Sequence, residues 1–230
     1  ITHKNRVAHI QKTLPRNLED NRVDAKEIEF VLVDFDEDEK LASWIAANFL
    51  SEIESGYLKY YKAPLKKWSS PVAKNTAHKL ASGNLLTNLD CDNYTGKRGG
   101  AFVINTYEQE MNEMMFWQFS RVRRDGSFGR ITLTHQMFFK LGGYDESLGE
   151  MGFQDNDLMN RAMALGDKRT EVNSRKYNKA IKHAKYRPMK GTFKDLNHEN
   201  AARSKKNLAE GKLIANEGKF GVQEGITRMQ

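Results

Sequence analysis

An alternation limits the fold more than any other feature of the chain. Between Glu27 and Asp90, short apolar runs take turns with helix-like stripes. "EIEFVLVD", Glu27 to Asp34, is a continuous apolar run of strand length. "DEKLASWIAANFL" sets Leu41, Trp44, Ile45 and Phe49 at helical spacing, and "YLKYY" reads as another strand. "SSPVAKNTAHKLAS" offers Ser70 as an N-cap and Pro71 at the first helical position. "NLLTNLD" is the next strand and delivers Asp90. "ITHKNR" looks like the end of a strand, as though an upstream piece precedes it. This order predicts an α/β fold with a mostly parallel sheet and flanking helices. Such sheets bind ligands outside the carboxyl ends of their strands, where Asp34 and Asp90 both fall.

The second half is less regular. "GRITLTHQMFFKLGGYDE" predicts a short strand, a helix from about His135 and a stop at Gly142-Gly143. "QDNDLMNRAMALG" reads as a helix with Asp155 and Asp157 in its first turn and Gly166 at its end. "NHENAARSKKNLAEGK" reads as one more surface helix. The expected organisation is one domain over 1–230, with halves at 1–96 and 97–166 and an irregular basic C-terminal portion at 167–230.

Charge is unevenly placed. The net charge is +7, yet the stretch from Arg161 to Lys206 carries fourteen Lys or Arg against four Asp or Glu. That local +10 leaves −3 for the remainder and points to an anionic partner: phosphates, nucleic acid or an acidic lipid surface. A mean hydropathy of −0.72 and the absence of a bilayer-length apolar run argue against a membrane span. Neither a signal peptide nor a disulfide framework is visible, since Cys91 is the single cysteine. The expected location is therefore the cytoplasm, bacterial or that of a phage-infected host.

Two groups of acids can carry chemistry. Asp90 and Asp92 stand two residues apart at a strand end; on a strand their side chains would share a side, which suits a hard divalent cation holding phosphate oxygens. A turn with side-chain hydrogen bonds is the other reading. Asp155 and Asp157 open a helix whose dipole favours ionised carboxylates, and an ionised carboxylate at a pocket edge can act as a general base.

These residues resemble a GT-A glycosyltransferase of the family 2 type, with a C-terminal motif like that of beta-1,4-galactosyltransferases. "EMGFQDNDLMNR", Glu150 to Arg161, is similar to a W-G-W-G-G-E-D-D-D-I-F-N-R stretch; Gln154 replaces its Glu and Asn156 its middle Asp. Glu150 and Met151 occupy the Gly-Trp positions, so sugar identity does not carry over. "THKNR" resembles that family's nucleotide-binding Asn-Arg, and "SSPVAKNTAHKLASGNLLTNLDCDN" resembles the order of helix, strand and Asp-x-Asp. "GSFGRITLTHQMFFKLGGYDE" is similar to its sugar-contacting turn, strand and helix. The resemblance spans roughly Ile1 to Gly166.

It implies a nucleotide-sugar donor, most plainly a UDP-sugar, and Mn²⁺ or Mg²⁺ on the diphosphate. Asp92 would be a metal ligand, with His198 or His183 as a further one. Asn5, Arg6, Asp34, Lys74, Asp90 and Gly129 would lie along the nucleotide sugar. Asp155 would be the catalytic base, and Gln154 and Asp157 would line the acceptor and sugar pocket.

The acceptor implied by the basic segment is a polyanion. It is either a cell-surface glycan, with peripheral contact to an acidic membrane, or DNA carrying hydroxymethylated or already glucosylated bases, as phage enzymes use. A nucleotidyltransferase would need a glycine-rich loop after its first strand, and "ITHKNR" has none. A non-catalytic nucleic-acid-binding module would explain the basic segment but not the paired acids.

Overall fold

The computed structural model describes residues 1–110, 116–118, 126–171, 176–181 and 193–230. Strands β1 (Thr2–His3), β2 (Phe30–Asp34) and β3 (Leu58–Lys62) run parallel, and the C-terminal β10 (Thr227–Arg228) joins β3 antiparallel. All five residues of β2 are buried, as expected of a strand covered on both faces. Phe30 and Leu32 point with Leu58 and Tyr60 toward helices α1 (Val7–Asn21), α2 (Lys40–Asn48) and α3 (Leu50–Glu54), meeting Ile10, Leu14, Leu18, Leu41 and Ile45. Val31 and Val33 point the other way, onto Ala73 and Ala77 of α4 (Ser70–Leu80). The period-two alternation of β2 thus divides two helical layers.

A second sheet takes β4 (Leu85–Thr87). The later strands are β5 (Asn93–Tyr94), β6 (Phe116–Gln118), β7 (Ile131–Thr134), β8 (Arg169–Glu171) and β9 (Lys179–Ala180). The order β4-β7-β6-β8 is antiparallel except between β6 and β8, and β5 pairs with β9 as a separate ribbon. The remaining helices are α5 (Gly99–Glu110), α6 (His135–Lys140), α7 (Gln154–Ala164) and α8 (Phe193–Ala209). Leu86, Leu133, Phe138, Tyr144, Leu158 and Phe220 form the core of this half.

The structure refines several expectations. β4, read as a continuation of the parallel sheet, pairs instead with β7. α2 stops before Phe49, whose φ of −136° breaks the helix before α3. Ser69, rather than Ser70, caps α4, its hydroxyl accepting the Val72 N–H at 3.4 Å. The lone Cys91 is a core residue, and burial pushes its thiol up to about 12.

Asp167, just beyond α7, is buried; one oxygen accepts the Lys168 N–H at 2.9 Å and the other has no hydrogen-bond partner among the described residues. Burial pushes its carboxyl up to about 7. A raised carboxyl contributes stability that is present at low pH and lost as pH rises, here between about 4 and 7. Asp167→Asn is therefore expected to flatten that dependence and to gain roughly 1–3 kcal/mol at alkaline pH. Urea melts of both proteins on either side of that window check it; a parallel pH dependence in the variant would be the contrary result.

Candidate active site

The loop after β4 is held from below by one face of α1. Thr13, Asn17 and Asn21 recur every four residues and are buried. The Thr13 hydroxyl donates to the Cys91 carbonyl at 2.7 Å, and Asn17 Nδ2 donates to the Asn93 carbonyl at 2.9 Å. Asn17 Oδ1 accepts the Thr95 N–H at 2.9 Å, and Asn21 Oδ1 accepts the Gly100 N–H at 2.9 Å. Buried polar groups this fully paired fix a backbone rather than loosen it.

Within that loop Asp90 and Asp92 do not share a strand face. The Asn93 N–H donates to the Asp90 carbonyl at 2.9 Å, closing a turn. Asp90 Oδ1 accepts from Asn88 Nδ2 at 3.1 Å and lies 4.0 Å from Lys74 Nζ. Asp92 Oδ2 pairs with Arg6 Nη1 at 3.0 Å, and its Oδ1 accepts from Asn93 Nδ2 at 2.7 Å. The motif is a hydrogen-bonded turn carrying two carboxylates, as the second reading expects.

Lys74 ties this loop to α7. Its Nζ donates to Asp155 Oδ1 at 2.7 Å and lies 5.2 Å from the Tyr144 ring centroid. Burial disfavours the Lys74 ammonium, but Asp155 and Asp90 more than offset it, so the ammonium is held charged. Burial raises the Asp155 carboxyl above its ordinary range, with Lys74 opposing and Asp90 reinforcing the shift. Gln154 Nε2 donates to Asp155 Oδ2 at 3.2 Å, while its Oε1 accepts the Gly152 N–H. Gly129 completes the wall: a Cβ there would stand 3.0 Å from Asp155 Oδ2, and its carbonyl accepts from Asn88 Nδ2 at 2.8 Å. Lys74, Asp90, Gly129, Gln154 and Asp155 are thus brought to one place from four separate stretches of chain.

Other expected site residues lie elsewhere. Asp34 is fully buried. Burial alone would raise its carboxyl, but hydrogen bonds from His3 (3.0 Å), Tyr60 (2.6 Å) and the Asp36 N–H (2.9 Å) hold it below the usual range. Asn5, with φ of +54°, donates its N–H to the Asp36 carboxylate at 2.9 Å. Asp157 is buried in an ion pair with Arg161 (2.8 Å) and accepts from Ser204 of α8 at 2.7 Å. His198 is exposed on α8, and His183 lies outside the described residues.

Among the described residues the one cluster of three metal-ligating side chains is His3, Asp34 and Asp36, with candidate atoms within 4.8 Å. Its capacity is already committed: His3 Nε2 accepts the Arg6 N–H at 3.0 Å, and Nδ1 faces Asp34. A His with both ring nitrogens engaged has no lone pair left for a metal. Asp92 and Asp90 offer hard oxygen donors of the type Mn²⁺ and Mg²⁺ take.

No protein-family model matches the chain, and no curated protein matches it. Solved structures do. The mannosyltransferase PcManGT from Pyrobaculum calidifontis, in complex with GDP-Man and Mn²⁺, superposes with a TM-score of 0.59 at 14% identity, over 75% of this chain and 52% of that one. S. aureus TarS 1-349 with UDP-GlcNAc gives 0.65 at 14% identity, over 91% and 69%. The S. aureus TarS crystal structure gives 0.64 at 14% identity, over 94% of this chain and 39% of that one. The chain thus spans only part of the proteins it matches. The parallel β1-β2-β3 layer with helices on both faces, and the likeness to these structures, give this chain the GT-A glycosyltransferase fold.

Proposed function

We propose that this chain transfers a sugar from a nucleotide-sugar donor to an acceptor hydroxyl. The observation that carries the reading is the buried contact between Lys74 and Asp155 beside Asp90, which sets a candidate base against a candidate donor site. Support for the donor class comes from structures of similar fold bound to GDP-Man, UDP and UDP-GlcNAc. A UDP-sugar is the donor favoured here. The acceptor is a polyanion, read from the +10 stretch between Arg161 and Lys206, with a glycan preferred over DNA.

Asp155 takes the proton of the acceptor hydroxyl as that oxygen attacks the anomeric carbon. The bond to the diphosphate breaks, its electron pair leaves with the nucleoside diphosphate, and the configuration inverts. Lys74 neutralises Asp155 at 2.7 Å and stands 4.0 Å from Asp90, so one ammonium serves both the base and the donor side. Gln154 holds the Asp155 carboxylate in place, and the missing side chain of Gly129 leaves room for it. Asp92, with Asp90, would hold a divalent cation, whose chemistry is to offset charge on the diphosphate. Arg6, paired with Asp92, stands at the nucleotide side, and the reaction would take place in the cytoplasm.

A hydrolysis screen of UDP- and GDP-sugars with Mn²⁺ or Mg²⁺ tests this, because donor turnover needs no acceptor. One UDP-sugar should be turned over only with metal, and Asp92→Asn should abolish that turnover in a folded protein. Failure of every donor would remove the transferase reading. Full activity in Asp92→Asn would remove the metal assignment alone.

A further inference from the structure

Beyond the Asp-x-Asp loop lies a second, strongly basic groove of about 510 Å³, lined by Lys12, Arg16, Tyr94, Lys97, Lys176 and Lys179. Among the described residues its one carboxylate is Asp20, which pairs with Arg16 at 3.0 Å. Lys12 and Lys97 are exposed and make no ion pair among the described residues. Three separate pieces of chain supply these cations: α1, the β5 strand with its following turn, and the β9 segment. Gly96 makes the meeting possible. Its φ is +75°, and a Cβ there would stand 2.3 Å from the Lys176 carbonyl oxygen. Only glycine allows this approach, which sets Lys97 beside Lys176.

The groove continues the site. β5 begins directly after Asp92, and the Ile181 N–H donates to the Asp92 carbonyl at 2.8 Å, next to Lys179. Along α1, at about 1.5 Å per residue, Lys12 stands about 9 Å and Arg16 about 15 Å beyond Arg6. That span suits successive charges on a polymer rather than one phosphate group.

The lining also selects among polymers. Single-stranded nucleic acids are held by aromatic faces on which bases stack. Here Lys179 lies over the Tyr94 ring at 5.6 Å, and the neighbouring Tyr177 is buried and stacked on Phe102 at 4.2 Å. Tyr177 is thus taken by Phe102, and Lys179 occupies one face of Tyr94, so the groove presents mainly cations. We propose that this groove binds a single, unpaired phosphodiester chain through its backbone alone, as the track that leads a polymeric acceptor to Asp155. The polymer's role as acceptor rests on the transferase reading; its binding does not.

The test uses fluorescence anisotropy with a labelled abasic (tetrahydrofuran–phosphate) dodecamer, oligo(dT) of equal length, and a duplex of that length. The abasic and dT strands should bind alike, and the duplex more weakly. Lys12→Gln/Lys97→Gln/Lys179→Gln should weaken abasic binding by about tenfold or more and lower the salt slope by about 2, at roughly 0.7 per cation. The exposed triple variant Lys26→Gln/Lys140→Gln/Lys219→Gln removes the same charge elsewhere and should bind nearly as the parent does. Equal weakening in both triple variants would show diffuse attraction and overturn the groove. Tighter duplex binding would assign the surface to duplex nucleic acid instead, and an absence of abasic binding at low salt would end the proposal. Donor hydrolysis by the unmodified protein is measured separately. Binding without hydrolysis keeps the groove and removes the transferase; hydrolysis without binding does the reverse.

Discussion

Asp155→Asn is expected to lower sugar transfer, or donor hydrolysis, by about 10²–10⁴-fold, the usual worth of a positioned general base. Asn keeps the size of the side chain and one oxygen for Lys74, so the wall made by Gly129 and Gln154 stays in place. Removing one partner of a buried ion pair leaves a charge behind. Here Asp90, 4.0 Å from Lys74, remains as a counter-charge, and the protein should still melt cooperatively. Calorimetry with UDP and Mn²⁺ should show donor binding retained. The pH profile adds a second readout. Burial raises the Asp155 carboxyl, so the acid limb of kcat should lie above the ordinary carboxylate range. Lys74 opposes that shift, so Lys74→Met should move the limb higher still. Transfer within tenfold of the parent in Asp155→Asn, or an unmoved acid limb in Lys74→Met, would take Asp155 out of the base role.

The framework of that site was legible where one period dominates. Phe30–Asp34, His135–Lys140 and Gln154–Ala164 lie within the stretches their patterns predict, and Leu58–Lys62 is offset by one residue from "YLKYY", because burial on one or both faces dictates residue type locally. The pairing of strands was not legible. Leu85–Thr87 reads like any short buried strand, and only the structure shows its partner to be Ile131–Thr134. The Asp90 to Asn93 turn defeats the strand-face argument, since one backbone hydrogen bond redirects both carboxylates. The contact of Lys74 with Asp155 spans 81 positions and leaves no periodic trace in either helix. Asp155 came from a motif resemblance; Lys74 as its partner came from tertiary packing. Thr13, Asn17 and Asn21 were missed entirely. Their four-residue spacing beside Leu14 and Leu18 was the available signal, because amides repeating on an otherwise apolar helix face must find buried partners.

Arg161 shows the same limit with a larger stability effect. It closes a motif that resembles a sugar-binding segment, yet its side chain is 2% exposed and serves the fold. Nε donates to Asp157 at 2.8 Å, Nη1 to the Leu141 carbonyl at 2.9 Å, and Nη2 to the Gly143 carbonyl at 2.8 Å. Asp157 in turn accepts from Ser204, so one guanidinium joins α7, the Gly142-Gly143 turn and α8. Arg161→Met is expected to cost about 3–5 kcal/mol, since it strands a buried carboxylate and the Gly143 carbonyl, while the Leu141 carbonyl still accepts the Ala215 N–H at 2.9 Å. At about 2–4 °C per kcal/mol for a chain of this size, Tm should fall by roughly 6–20 °C. Adding Asp157→Leu separates two accounts of that loss. If the stranded carboxylate dominates, the double variant Asp157→Leu/Arg161→Met should regain most of the stability, as replacement of a whole buried pair by apolar groups often does. The Gly143 carbonyl loses its guanidinium donor in both variants, however, and no apolar side chain can answer it. We therefore expect the double variant to recover only part of the loss, with the remainder measuring the work of the guanidinium on the turn. Full recovery would mean that Arg161 matters only to Asp157.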